Sequence, residues 1–210
     1  MMSTPEATII DTANKSISKL QARFRGSHSR NLHVSRKKSG ALIVCPDLCS
    51  PIETCRIVIE MASITSTDFV LDLGCGDGTV LIEIAANTRA QCVGYEIDHI
   101  LCARAVRKSI SAGVQELVNI EQKDLSFADF SNITVLYMFL VPSCLNVLSS
   151  ILKQKVSKNC RIVTYYYPLP IEDGWIPVQM HETIDAVNKL NSESRKSLYL
   201  YFNNKNDEEL

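Results

Sequence analysis

The spacing of apolar residues changes period several times along the chain, and each change marks an element. "FVLDL" at Phe69 to Leu73 is a nearly continuous apolar run of strand length. A helical spacing follows from Thr79 to Asn87, then a second apolar run at Gln91 to Glu96 and a second helical stretch from Asp98 to Ala112. A third strand is expected near Leu117 to Glu121. Three strand-helix units in about fifty residues require a parallel sheet. A fourth strand is expected at Ile133 to Phe139, then a helix with Leu145, Leu148 and Leu152 on one stripe, then a strand at Arg161 to Tyr166. The end of the chain differs: "WIPVQMHETI" and "SLYLYF" are β-prone with no long helix between them, which predicts a closing antiparallel hairpin. Upstream, "CSPIETCRIVIEMA" opens a helix from about Pro51 to Ile64. There Ser50 and Glu53 have capping-box spacing and Pro51 suits the first helical position.

Between the first strand and its helix lie Gly74, Gly76 and Gly78 on alternate positions. Glycines at such a turn let backbone N–H groups face a ligand at the carboxyl edge of the sheet, where open α/β folds bind their cofactors. Dinucleotide sites favour G-x-G-x-x-G, and here Thr79 stands where the third glycine would fall. Asp72 and Asp77 also flank the loop with negative charge. Both features disfavour a pyrophosphate and suit a cofactor that carries positive charge. The second strand ends in "VGYEID", so Glu96 can accept both hydroxyls of a ribose. Asp124, after the third strand, can accept from an adenine amino group. His99, beside Glu96, is read as a first-turn helix residue rather than a base; His28 and His33 are read as solvated and His181 as part of the hairpin.

Composition adds an asymmetry. Residues 1–46 hold eight Lys/Arg against two acids, and the remainder holds fourteen against twenty-one. The division expected is a basic arm over residues 1–45, a folded domain over 46–205 and an acidic tail over 206–210. Within the arm, Ile10, Ala13, Ile17, Leu20 and Phe24 recur at helical spacing, predicting a basic amphipathic helix. The longest apolar stretch, Ile133 to Pro142, is about half of a membrane span. No secretory signal pattern opens the chain. An intracellular, soluble protein is therefore expected, in the cytoplasm or alternatively in mitochondria. The eight cysteines are spread out with no C-x-x-C pair, as expected of reduced thiols. Cys45, Cys49 and Cys55 have no histidine at ligand spacing, so no metal site is expected.

Asp72, Gly74, Gly76, Glu96 and Asp124 together resemble the class I S-adenosylmethionine-dependent methyltransferases, over about Pro51 to Phe202. The resemblance implies a Rossmann-like, seven-stranded, mostly parallel sheet with a C-terminal antiparallel hairpin and helices on both faces. It implies S-adenosyl-L-methionine as cofactor, with Asp72 near its methionine end and Gly74, Cys75 and Gly76 approaching it by backbone. Glu96 and Ile97 would hold the ribose, and Asp124 and Leu125 the adenine. Cys75 is read as a small residue that fits, not as a nucleophile.

After the fourth strand the sequence reads "MFLVPSCL", without the [N/D/S]-P-P-[Y/F/W] grip of enzymes that methylate planar amino groups. The segment from Ser131 to Pro170 instead is similar to the small protein-lysine N-methyltransferases related to the enzymes acting on ATP synthase subunit c and on the adenine nucleotide translocase. That resemblance implies a protein substrate with a target lysine. Val141, Pro142 and the aromatics Tyr165, Tyr166 and Tyr167 are candidates for its channel, with ordinary packing as the competing reading, and no residue stands out as a general base. The alternatives are RNA, which the basic arm would favour, a small-molecule acceptor, or a non-catalytic partner subunit that keeps the fold.

Overall fold

The computed structural model describes residues 50–184 and 195–203. The expected basic helix, His28, His33, Cys45, Cys49 and the acidic tail lie outside them. The elements run α1 (Ile52–Met61), β1 (Phe69–Leu73), α2 (Thr79–Thr88), β2 (Gln91–Glu96), α3 (His99–Ser111), β3 (Val118–Gln122), β4 (Val135–Met138), α4 (Pro142–Lys155), β5 (Arg161–Tyr165), β6 (Gln179–Ile184) and β7 (Arg195–Phe202). Short 3-10 turns at Leu125–Phe127 and Ile171–Asp173, not expected from periodicity, complete the order.

The seven strands form one sheet in the order β3-β2-β1-β4-β5-β7-β6. Strands β1 to β5 pair in parallel, whereas β7 runs antiparallel to β5 and β6. The order reverses between β1 and β4. Right-handed crossovers then send α2 and α3 to one face and α4 to the other. The core accordingly has two halves. Cys55, Val58, Leu81 and Ile84 pack on one face with Val70, Val135 and Val163; Leu145, Leu148 and Leu152 pack on the other with Leu71, Leu136 and Ile162. Each of these buried leucines contributes roughly 1.5–3 kcal/mol.

Two features at the amino end of the sheet lock it. Arg161 reaches back to Asp68 and donates to the Ala62 carbonyl, and Thr134 Oγ1 donates to Asp68 Oδ1 at 2.7 Å. Asn203, beyond β7, donates to the Leu152, Lys153 and Val156 carbonyls at 2.7–3.3 Å. It thereby satisfies the free carbonyls at the end of α4.

Helix α1 begins differently from the expected capping box. Pro51 is its N-cap, with no side-chain cap bond. The Ser50 hydroxyl instead pairs with the Tyr137 hydroxyl at 2.7 Å, a buried partner contributed by β4. Cys55, Cys75, Cys92, Cys102 and Cys160 are free thiols, as expected. Cys144, at the start of α4, is disulfide-bonded, contrary to expectation. Such a bond depends on bringing two Cα atoms within about 7 Å, which spacing along the chain does not reveal.

Candidate active site

Strands β1, β2 and β4 deliver their carboxyl ends to one crevice at the reversal point, where open α/β sheets bind ligands. The β1–α2 turn lies across it. The Gly74 and Cys75 N–H groups both donate to the Tyr95 carbonyl, at 2.9 and 3.1 Å, tying the turn to the end of β2. Gly74 has φ +80°, and a Cβ there would meet Leu140 Cδ2 at 3.3 Å. Gly78 is the N-cap of α2 at φ +78°, and its missing Cβ would stand 2.9 Å from Ala105 Cβ. Gly78 thus does for the α2–α3 contact what a third glycine does for a dinucleotide turn, which explains why Thr79 is tolerated at the expected position.

Glu96 ends β2 and is buried. Its carboxylate accepts from the N–H groups of Gly76 at 3.0 Å and of Ile97 and Asp98, both at 2.8 Å. Asp98 caps α3 through Ile100 and Leu101, so His99 is the first residue of that helix, as expected. Asp124 caps the 3-10 turn after β3, accepting from the Ser126 N–H and hydroxyl at 2.9 and 2.7 Å. Leu125 is buried beside it.

Asp72 is the most unusual group. It is 2% exposed, lines the crevice with Gly74, Gly76, Tyr137 and Phe139, and makes no side-chain hydrogen bond among the described residues. Burial, reinforced by the nearby Glu96 charge, pushes its carboxyl up to about 8. A buried carboxylate without donors calls for a cation. Asp77 lines the same crevice, but unlike Asp72 it is partnered. Its carboxylate takes Lys108 Nζ at 2.6 Å and the Thr79 hydroxyl at 2.7 Å. Burial opposes its ionisation, but these bonds outweigh that and hold it below the usual carboxylate range.

Cys75 is buried, and burial with the Asp72 and Glu96 charges drives its thiol well above the ordinary value, so it is no nucleophile at neutral pH. Its sulfur packs where β2 comes closest: a Cβ on Gly94 would stand 2.5 Å from Cys75 Sγ and 2.8 Å from Leu81 Cδ1. Gly94 is absent from the residues expected at the site, although a glycine inside a strand is a signal of close approach.

On the acceptor side, Val141 is the half-buried N-cap of α4 and Pro142 its exposed first residue. Tyr165 is buried, its ring 4.7 Å from that of Phe139, a crevice-lining residue, and edge-on to it. Phe139 lines the crevice, and the half-buried rings of Tyr166 and Tyr167 follow it, each in edge contact with the one before. Tyr137 pairs with Asp72 across β1 and β4 and lines the crevice too. Neither Phe139 nor Tyr137 is distinguished by the sequence, where each reads as ordinary strand apolarity.

The residues present fit S-adenosylmethionine: a glycine turn narrow enough for backbone approach, a carboxylate at the end of β2, and a buried carboxyl that a cationic ligand would ionise. This sheet order and crevice define a class I, S-adenosylmethionine-dependent methyltransferase. The profile of the ANTKMT methyltransferase domain matches residues 72–179, just over half of the chain, and the chain belongs to that family. A protein-lysine N-methyltransferase of Saccharolobus islandicus (strain REY15A) is 27% identical over 157 residues, covering 74% of this chain and 92% of that protein. The adenine nucleotide translocase lysine N-methyltransferase of Mus musculus is 32% identical over 112 residues, which cover 52% of this chain and 46% of the mouse protein. Among solved structures, an RNA methyltransferase from Salinibacter ruber in complex with S-adenosyl-L-homocysteine superposes with a TM-score of 0.66. It is 29% identical, with 78% of this chain and 99% of that one covered. Among the described residues, no helix is long and apolar enough to cross a membrane.

Proposed function

We propose that this enzyme methylates the side-chain amine of a lysine in a protein substrate. The observation that carries the reading is the juxtaposition of a buried carboxyl, Asp72, with the half-buried aromatic ring of Phe139 in one crevice. Such a crevice suits an alkylamine better than a planar amide, and "LVP" at Leu140 to Pro142 offers no polar grip on an NH₂ group. The names of the Saccharolobus islandicus and mouse relatives support the same acceptor.

In this reading Asp72 attracts the positive methionine end of the cofactor, Gly74, Cys75 and Gly76 bring backbone against it, Glu96 and Ile97 hold the ribose, and Asp124 and Leu125 border the adenine. S-adenosylmethionine supplies a methyl on a sulfonium sulfur, which a neutral amine displaces in line, the S–C electrons staying with sulfur. The chain's contribution is position and dryness. Phe139, set edge-on to buried Tyr165, presents an apolar wall that favours the uncharged amine over the ammonium. Tyr137 cannot serve as a base at neutral pH, because burial pushes its phenol well above the ordinary value. Its hydroxyl bond to Ser50 orients the entry segment instead. The protein is a domain of about residues 46–205 carrying a basic arm and a short acidic tail.

A second reading, RNA as acceptor, draws support from an open groove of about 520 Å³ lined by Arg104, Arg107 and Lys108. Glu83 shares that groove and Lys108 is engaged by Asp77, which lowers its appeal to phosphates. The deciding experiment transfers labelled methyl groups into cell extract, followed by protease, nuclease and amino-acid analysis. Label recovered as methyllysine is expected; label released only by nuclease would replace the lysine reading with RNA.

A further inference from the structure

Phe139, Tyr166 and Tyr167 form a row of rings leading away from the crevice. The Phe139 and Tyr166 centroids are 6.4 Å apart and those of Tyr166 and Tyr167 are 4.6 Å apart, both pairs edge-on. All three residues are half-buried. Phe139 lines the crevice with Asp72, and Tyr166, just past the end of β5, is its ring neighbour.

Tyr166 stands out in two independent ways. Its φ is +70°, in the left-handed region that bulky residues avoid, so local preference alone would not keep it there. What holds it is β7: the Tyr166 N–H donates to the Ser197 carbonyl at 2.7 Å. Backbone outliers of this kind persist where surrounding structure imposes them, often at functional sites. Further, a cation already stands at the Tyr166 ring. Nζ of Lys196, from β7, lies 5.7 Å from its centroid. The ring is therefore oriented so that an alkylammonium can approach it, and this alkylammonium is a lysine side chain.

We propose that Tyr166 determines acceptor specificity: its ring receives the ammonium of the substrate lysine at the mouth of the crevice, with Lys196 as a resident competitor for the same ring. The proposal rests on the protein-lysine reading. The face of an aromatic ring attracts a cation without a formal charge of its own. It holds the charged amine at the half-wet mouth, where the ammonium can give its proton to water. The neutral amine then passes Phe139 toward the methyl group. Fully alkylated ammonium groups bind such rings as well, so the same ring also retains a methylated product.

The test uses the full chain saturated with S-adenosyl-L-homocysteine and, as probe, n-butyltrimethylammonium, a lysine-like cation that cannot be methylated. Binding is followed by NMR titration, which does not depend on turnover. Tyr166→Gly is the informative variant, because glycine is at ease at φ +70°, so the local backbone is kept while the ring is lost. The expected result is a Kd about tenfold weaker for Tyr166→Gly, within about twofold of wild type for Tyr166→Phe, and a few-fold tighter for Lys196→Met. No measurable binding to wild type, or a Kd unaffected by Tyr166→Gly, overturns the proposal. The two ideas fail separately: absence of methyllysine in the extract experiment sinks the lysine reading, whereas methyllysine formation with an indifferent Tyr166→Gly variant sinks only the role given to Tyr166.

Discussion

Replacing Asp72 with asparagine should change both stability and cofactor binding, in opposite directions, as pH rises. The wild-type carboxyl has its folded-state value raised from 3.8 to about 8 by burial and by Glu96. A carboxyl raised in the native state holds its proton there while the unfolded chain has lost it, so stability falls as pH climbs from about 4 to about 8. At ~1.4 kcal/mol per unit, that loss totals on the order of 6 kcal/mol. The asparagine variant has no such proton to lose, so it should gain on wild type by about 1.4 kcal/mol per pH unit across the interval. Binding runs the other way. At pH 7 roughly one-tenth of wild-type molecules have Asp72 ionised, so a cationic cofactor that needs the carboxylate displaces about 0.9 proton and binds roughly tenfold more tightly at pH 9. Urea unfolding at pH 5, 7 and 9 measures the first effect. Calorimetry with S-adenosylmethionine in two buffers of different ionisation enthalpy measures the proton, with the variant cancelling the ligand's own titration. Parallel stability curves for the two proteins, or equal affinity of Asp72→Asn and wild type, would refute the reasoning.

Other sites test the scaffold. Gly94→Ala drives a methyl into Cys75 and Leu81, so it should cost about 1–3 kcal/mol in urea unfolding and weaken S-adenosylmethionine binding by displacing the turn. Arg161→Ala strands buried Asp68 and should cost about 3 kcal/mol. Burial opposes ionisation of Asp68, but bonds from Thr134, Thr65 and Arg161 hold it below 3.8 overall, so its stabilisation is lost as pH falls. Removing the guanidinium should move the acid-unfolding midpoint to higher pH, read by circular dichroism. Trp175→Phe removes the 2.8 Å donation from the indole Nε1 to Ser149, far from the crevice. It should cost about 1–2 kcal/mol while calorimetric cofactor affinity stays that of wild type.

What is legible in sequence is what short-range order encodes. The bounds of β1 and β2 follow from apolar runs interrupted by glycines, and both strands end where predicted. Asp98 marks a helix start because its carboxylate accepts from N–H groups within three residues of itself. The glycine turn and Glu96 fall within one short window of the chain, and so the cofactor class is readable too.

The acceptor side is less legible, because its contacts are made across the sheet. Ser50 finds Tyr137 87 positions away, and Asp77 finds Lys108 at a separation of 31, which gives its carboxylate a counter-charge. Tyr165 is buried whereas Phe139 and Tyr166 are half-buried, and β7 supplies both the carbonyl that holds the left-handed Tyr166 backbone and the lysine beside its ring. Sequence by itself determined the order of strands and helices, the glycine turn and the acids at the strand ends, since these depend on local conformation. Only the tertiary structure decided which carboxylate stays unpartnered and which ring faces the incoming amine, because those properties belong to neighbours that the chain brings together after distant segments meet.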